Sequence, residues 1–505
     1  MNLPSAHLEA LKQSLGEEFE AFAKAYEEKA PVSVRVNSAK SNFDCPSTAL
    51  RTSAQSDKHL GSRSFVSLSA CAPWRVAEDD KVRWCDSGYY LPERPSFTHD
   101  PLFHAGCYYV QEASSQFLSH VAKTVFPKDV PLKVLDLCAA PGGKSTLLSS
   151  ELNDDSLLVS NEVIRTRAHI LAENISKWGK ANCVVTNNDP EHFEKLKGFF
   201  DVIVVDAPCS GEGLFRRDPE LTSEWSEDNV NLCSARQRRI VLDIWPSLKE
   251  GGLLVYSTCT FNTKENEENL HWLKSQVEFD SVKLELPKHW NIVTSSFDCA
   301  QSDKAGEHRK LVKLSAAEVD KGTENLLGYR FYPHKVKGEG FFISILRKTD
   351  PESPSSHKEK NLFSPIPSKE KNEVASWLND AEKFDFVRRG DHIIAIPKQH
   401  TDVVHRISRT LNCVQYGIPV ADAGKGMKPL HELALSVHLN TDVFHQTELT
   451  KEEALKFLAK EDFKVNSSHK GISLMMFEGV PLGWMNLLGN RANNLYPKEW
   501  RIRKL

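Results

Sequence analysis

Val134-Leu135-Asp136-Leu137-Cys138-Ala139-Ala140-Pro141-Gly142-Gly143-Lys144-Ser145 is the stretch that decides the fold. A short apolar run ends at an acid, small residues follow, and two glycines open a helical pattern. That is a strand, a tight turn and a helix, whose backbone can approach a ligand and whose N-terminus can meet a ligand's negative end. The first glycine of a G-x-x-x-x-G-K-[ST] phosphate loop is missing, so the turn is of another kind. Four further apolar runs follow with helical patterns between them: Leu157-Leu158-Val159-Ser160, Cys183-Val184-Val185-Thr186, Val202-Ile203-Val204-Val205 and Leu253-Leu254-Val255-Tyr256. Nearly continuous apolar strands in a βαβ rhythm predict an α/β domain with a parallel sheet covered on both faces.

Ligands of such sheets bind outside the carboxyl ends of the strands. Glu162 follows the second strand, twenty residues past Gly142, where a carboxylate can accept both hydroxyls of a ribose. Asp189 ends the third strand, where it can accept from an adenine amine. The next two strands run into Asp206-Ala207-Pro208-Cys209-Ser210-Gly211 and Ser257-Thr258-Cys259-Thr260. Two thiols delivered to one edge of a cofactor sheet equip it for covalent catalysis.

The rest of the composition sets limits. The chain has 505 residues, 40% of them hydrophobic, enough for two or three domains. A net charge of −4 announces no nucleic-acid partner, but Arg491 to Leu505 carries Arg491, Lys498, Arg501, Arg503 and Lys504 against Glu499 alone. Such a tail can meet phosphate or be a solvated end. Without a long apolar run or a signal peptide, a soluble, cytoplasmic protein is expected. The 11 cysteines form no C-x-x-C pair, which argues against a disulfide framework and against a bound metal.

Organisation follows from periodicity. Residues 1–130 read as an α+β domain, opening with an amphipathic helix (Leu8, Leu11, Leu15, Phe19, Phe22, Tyr26) and the alternating strand Val32-Ser33-Val34-Arg35-Val36-Asn37. The α/β domain spans 131–348. Thr349-Asp350-Pro351-Glu352-Ser353-Pro354-Ser355-Ser356 begins a linker over 349–371, and 372–505 form a further domain. Phe43-Asp44-Cys45 with Ala54-Gln55-Ser56-Asp57-Lys58 is echoed by Phe297-Asp298-Cys299-Ala300-Gln301-Ser302-Asp303-Lys304. Two related loop insertions are expected there, near 41–73 and 296–309.

Asp136 to Lys144, Asp206 to Gly211 and Ser257 to Thr260 resemble the motifs of RNA cytosine-5 methyltransferases of the Nop/Sun family, with a match running from about Pro31 to Lys348. Tyr89-Tyr90-Leu91-Pro92-Glu93-Arg94-Pro95-Ser96-Phe97, Tyr108-Tyr109-Val110-Gln111-Glu112-Ala113-Ser114-Ser115 and Pro333-His334-Lys335-Val336-Lys337-Gly338-Glu339-Gly340-Phe341-Phe342 resemble the RsmF-like enzymes of small-subunit ribosomal RNA. Asn494-Leu495-Tyr496-Pro497-Lys498-Glu499-Trp500-Arg501 is similar to their terminal PUA-like RNA-binding domain. The resemblance implies a Rossmann-like S-adenosylmethionine-dependent methyltransferase core, an N-terminal α+β domain that meets RNA, and a C-terminal PUA-like domain. It implies S-adenosylmethionine as cofactor, bound by Cys138, Ala139, Ala140, Pro141, Gly142, Gly143, Lys144, Glu162, Asp189 and Asp206. It implies RNA as partner, ribosomal RNA or the small subunit before transfer RNA, with neither DNA nor a membrane, and a monomeric enzyme.

The chemistry agrees. Carbon 5 of cytosine is a poor nucleophile until something adds at carbon 6, and a thiolate is the suitable attacker. Asp206 can stabilise charge on the ring. Spacing alone does not say which thiol attacks. In the family the cysteine matching Cys259 is the nucleophile, the one matching Cys209 assists release, and the lysine matching Lys144 reaches toward the base. The target cytosine has to leave its stack. Cys138, Cys183 and Cys233 are expected to pack, and Arg167 to be structural. Arg216-Arg217-Asp218-Pro219 can hold phosphate or form a salt bridge. Phe477, Trp484, Arg491, Tyr496, Trp500, Arg501 and Arg503 suit either base recognition or an aromatic core. A non-catalytic ribosome-assembly factor would not need both thiols, Asp206 and Lys144. An exocyclic-amine methyltransferase would carry a polar-Pro-Pro-aromatic loop in place of Asp206 to Cys209.

Overall fold

The structure is a computed structural model that describes residues 3–40, 65–67, 75–77, 80–298, 325–351, 363, 365–489 and 491–504. Its centre is a ten-stranded sheet. Five parallel strands form the middle, in the order Leu248–Thr258, Phe200–Asp206, Lys133–Asp136, Leu157–Asn161 and Cys183–Thr186. Successive residues alternate between two cores. Val134, Leu158, Val202, Val204 and Val255 face one, and Leu135, Val159, Ile203, Val205 and Leu254 face the other. Burial on both faces is why these strands read as unbroken apolar runs.

Both edges are extended by antiparallel strands. Phe341–Lys348 pairs with Leu248–Thr258 and is followed outward by Asn325–Phe331 and Val293–Asp298. Ser296, Phe297 and Asp298 are therefore strand residues paired with Leu327, Leu326 and Asn325, not the start of a loop insertion. The remainder of that expected insertion, and nearly all of the 41–73 one, lies outside the described residues; Phe65–Ser67 and Arg75–Ala77 form a short antiparallel pair.

At the opposite edge, Cys413–Tyr416 pairs antiparallel with Cys183–Thr186. The region after residue 371 thus supplies a strand to the central sheet. It also carries two four-stranded sheets: Phe384–Arg389, His392–Pro397, Ile418–Asp422 and Lys428–Pro429, then His445–Glu448, Gly471–Phe477, Val480–Leu487 and Ala492–Asn494. Phe457, Met475, Met485 and Tyr496 of this last part share a core with Val34, Leu102 and Tyr108. The C-terminal sheet thus packs against the region around Val34 and Tyr108.

The N-terminal amphipathic pattern forms two helices, Ser5–Leu15 and Phe19–Glu27, because Gly16 breaks the run at φ 55°. Leu11, Leu15 and Phe22 pack against Phe261 and Tyr332, which sets these helices beside the loop that follows Cys259. Val32–Val36 lies between Gly88–Leu91 and Tyr108–Val110 in a three-stranded sheet. Among the described residues no helix is long and apolar enough to cross a membrane.

Candidate active site

The loop after Lys133–Asp136 turns at Gly142, which takes the left-handed conformation at φ 116° and caps the helix Gly143–Glu151. A β-carbon at Gly142 would meet Leu171 at 3.3 Å, and one at Gly143 would meet Tyr109 at 3.4 Å, so small residues let the loop lie close to its neighbours. Its carbonyls are held from outside. Arg167 donates to the Ala140 carbonyl at 2.8 Å and Asn174 to the Pro141 carbonyl at 2.7 Å. From the N-terminal sheet, the fully buried Arg35 donates to the Gly143 and Thr146 carbonyls, each at 3.3 Å, and to Gln111 at 3.0 Å. Arg167 is structural in a specific sense: it braces the glycine loop.

Carboxylates gather around this loop. Asp136 is fully buried; one oxygen accepts from the Ser145 hydroxyl at 2.7 Å, and the other, Oδ1, has no protein partner. Burial pushes its pKa up to about 7, and the charges of Asp206 and Glu162 add to the effect. Glu162 is 3% exposed, accepts from the Ile164 N–H at 2.9 Å and faces Arg167 at 3.5 Å. Val163 and Ile164 beside it are 55% and 48% exposed, an apolar lip at the strand end that the sequence reading missed. Asp189 instead caps the turn Pro190–Leu196 and holds Arg239 through both oxygens at 2.9 and 3.3 Å, which keeps its pKa low.

The four expected catalytic residues come together. The Sγ atoms of Cys209 and Cys259 are 3.1 Å apart, and the Cys259 N–H points at the Cys209 sulfur at 3.4 Å. Both cysteines are partly exposed. Lys144 Nζ sits 2.8 Å from Asp206 Oδ2, and the other Asp206 oxygen accepts from Ser257 at 2.8 Å. Burial works against the lysine's charge, but Asp206 outweighs it and raises the pKa. The Cys209 thiol is raised well above its ordinary range by its contact with Cys259 and by burial. Close backbone packing locks the two cysteine loops: a β-carbon on Gly213 would meet Gly340 O at 2.5 Å and Cys259 O at 2.8 Å.

Other expectations resolve on the bland side. Cys183 and Cys233 are buried packing residues, and burial raises the Cys138 thiol within its loop. Arg216 is no phosphate ligand; it donates to the Ala25 carbonyl at 3.0 Å and the Gly338 carbonyl at 2.8 Å and pairs with Glu339 at 3.2 Å. Tyr496 and Trp484, at 2% and 1% exposure, are core residues and not base-stacking surfaces. Two contributors had gone unread. Glu212 is buried, accepts from Trp225 at 3.0 Å and from Asn262 at 3.2 Å, and lies 3.4 Å from His7 of the first helix. Glu265 lies beneath Ser210. Their signal was only that acids sit close to both cysteine loops.

The buried, unpartnered Asp136 oxygen and the neighbouring carboxylates fit a ligand bearing an ammonium and a sulfonium, and the glycine turn leaves room for its backbone approach. Fold and site define a Rossmann-like S-adenosylmethionine-dependent methyltransferase. The chain belongs to the ribosomal RNA small subunit methyltransferase F family. Residues 124–347 match the family described as 16S rRNA methyltransferase RsmB/F, 62–113 match the N-terminal domain of 16S rRNA methyltransferase RsmF, and 444–502 match the methyltransferase RsmF PUA domain. Ribosomal RNA small subunit methyltransferase F of Shigella sonnei is 30% identical over 86% of this chain and 87% of its own. The protein of that name from Shewanella loihica is 29% identical over 86% of each. The crystal structure of a methyltransferase homolog protein from Pyrococcus horikoshii shares the fold at a TM-score of 0.50, with 26% identity, covering 69% of this chain and 96% of that one.

Proposed function

We propose that this enzyme methylates carbon 5 of a cytosine in small-subunit ribosomal RNA through a covalent adduct with Cys259, in the cytoplasm. One observation carries the reading: two thiols 3.1 Å apart, beside a Lys144–Asp206 pair, at the edge of a methyltransferase sheet. Methylation of an exocyclic amine needs no thiol. The relatives' names supply the ribosomal substrate.

The Cys259 thiolate adds to carbon 6, and the pair displaced from the 5,6 double bond gives carbon 5 the nucleophilic character it lacked. Cys209, held protonated, is the poorer attacker, which supports Cys259 in that role. Asp206 faces the nitrogen edge of the base and stabilises charge there, with Lys144 orienting it. S-Adenosylmethionine supplies the methyl group. For release the carbon 5 proton passes to solvent water, with the Cys209 thiol placed to assist; the carbon–hydrogen pair reforms the double bond as the Cys259–carbon 6 bond breaks and its pair returns to sulfur. Cys138 to Lys144 hold the cofactor together with Glu162, Asp206 and, at the adenine end, Asp189. As working limits, residues 1–130 and 372–505 flank the methyltransferase domain of 131–348.

The test is methylation of small-subunit RNA by the purified enzyme with labelled cofactor, followed by bisulfite sequencing. A single protected cytosine is expected. Methyl incorporation on an exocyclic nitrogen would refute the reading.

A further inference from the structure

Directly after the second cysteine loop the chain runs Lys264-Glu265-Asn266-Glu267-Glu268-Asn269, and four of these six polar residues are buried. Glu265 and Asn266 are at 0% exposure, Glu267 and Asn269 at 5%. A buried carboxylate is costly unless its lone pairs are satisfied, so its partners reveal what the burial is for. Glu267 pairs with the buried Arg330, Nε to Oε1 at 2.6 Å, and fixes the neighbouring wall. Glu265 accepts from the Ser210 N–H at 3.0 Å, from the Ser210 hydroxyl, and from Gln237 Nε2 at 2.8 Å. It therefore grips the residue next to Cys209. Asn266 accepts from the Thr258 hydroxyl at 2.6 Å and donates to the Thr260 carbonyl at 3.0 Å, gripping both neighbours of Cys259. The Ser210 and Thr260 hydroxyls, 2.9 Å apart, close the frame.

We infer that Glu265 and Asn266 are positioning residues that set the two thiols against each other, Glu265 through the Cys209 loop and Asn266 through the Cys259 loop, with Glu265 working as the carboxylate. The inference rests on the roles proposed above for the two cysteines. Adjacent positions of one chain segment thus serve successive steps, Asn266 the attack and Glu265 the release. The Ser210 N–H and Gln237 Nε2 can only donate, and the carboxylate lets the Ser210 hydroxyl donate as well. A protonated carboxyl would turn its O–H to the Ser210 hydroxyl and reverse that bond. Burial, with the Glu212 charge, raises the Glu265 pKa to about 7 despite the bonds from Ser210 and Gln237. The other ionisable groups facing it are Cys209, Cys233 and Tyr256, whose hydroxyl donates to the Glu265 carbonyl at 2.6 Å. Release should accordingly slow as pH falls through about 7.

The full-length enzyme, small-subunit RNA and S-adenosylmethionine suffice for a test. Adduct formation and decay are followed on denaturing gels for the parent, Glu265→Gln and Asn266→Ala, with Cys209→Ala and Cys259→Ala as references. Glu265→Gln should form adduct within about twofold of the parent rate and lose it about ten- to a hundredfold more slowly, the range for one hydrogen bond to a charged group. It should also lack the parent's slowing below pH 7. Asn266→Ala should slow formation by a similar factor. Calorimetric affinity for S-adenosylmethionine should stay within about twofold in both. Parent-like decay with an intact pH step in Glu265→Gln overturns the inference, and so does a loss of cofactor affinity that parallels the rate change. If Cys209→Ala itself traps no adduct, the reading of the two thiols fails and this inference with it.

Discussion

The backbone N–H of Asn412 donates to the side-chain oxygen of Asn188 at 3.0 Å, joining the region after the linker to the end of a cofactor-sheet strand. The Asn412 carbonyl accepts from the Asn187 N–H at 2.9 Å and from the Asn188 side chain at 3.2 Å. Asn188 in turn accepts, at its carbonyl, from Asn161 at 2.9 Å, and Asn187 donates to the Glu162 carbonyl at 2.6 Å. The chain beyond the linker is therefore part of the frame around Glu162. Deleting residues 372–505 removes this clamp and exposes the edge of Cys183–Thr186. The truncated protein will bind S-adenosylmethionine about tenfold more weakly or worse and melt at lower temperature, as calorimetry and thermal denaturation will report. A truncation with undiminished affinity would make the region separable after all.

The thiols will divide by step. Cys259→Ala abolishes methyl transfer and forms no adduct, whereas Cys209→Ala accumulates an RNA–protein adduct that survives denaturation. The contact of 3.1 Å allows both sulfurs to reach one base. Gel shifts after incubation with RNA and cofactor distinguish them, and accumulation in Cys259→Ala would reverse the assignment.

Glu162 and Asp189 will not contribute equally. Glu162 is buried beside the cofactor loop, so Glu162→Ala should weaken S-adenosylmethionine binding by roughly 1.5–3 kcal/mol, the scale of hydrogen bonds to a charged group. Asp189 is already engaged by a half-exposed Arg239, and Asp189→Ala should cost below about 1 kcal/mol. Titration calorimetry on both variants reads this directly; equal losses would place Asp189 on the adenine as firmly as Glu162 on the ribose.

Much of this was legible because the signals are local. Five apolar runs became the five parallel strands, and the motifs at their ends brought Lys144, Asp206, Cys209 and Cys259 together. What stayed hidden depends on contacts far apart in the chain. Cys413–Tyr416 has no pattern that marks it as an edge strand of a sheet more than two hundred residues earlier. Glu265 and Asn266 carried no signal in the sequence, because only the fold shows which donors cover them. The aromatic residues of the last segment could stack on bases or fill a core, and only burial decides between the two.

Asp136 will make stability fall with pH until the cofactor binds. Its folded pKa of about 7 lies above the ordinary aspartate value because burial penalises the charged form and Oδ1 has no protein partner. Between about pH 4 and 7 the unfolded chain has lost this proton while the folded chain keeps it. The unfolded state then binds fewer protons, so stability decreases as pH rises through that window and levels off above it. The full shift corresponds to roughly 4 kcal/mol. Asp136→Asn removes the titration, so its melting temperature should gain on the parent's by several degrees from pH 5 to pH 8. Saturating S-adenosylmethionine should shrink the parent's pH dependence, since a cationic ligand beside Asp136 favours the carboxylate and returns its pKa toward the unfolded value. Melting curves of both proteins across this range, with and without cofactor, are the measurement. A constant offset between them at every pH would mean that Asp136 ionises as freely in the fold as in the unfolded chain.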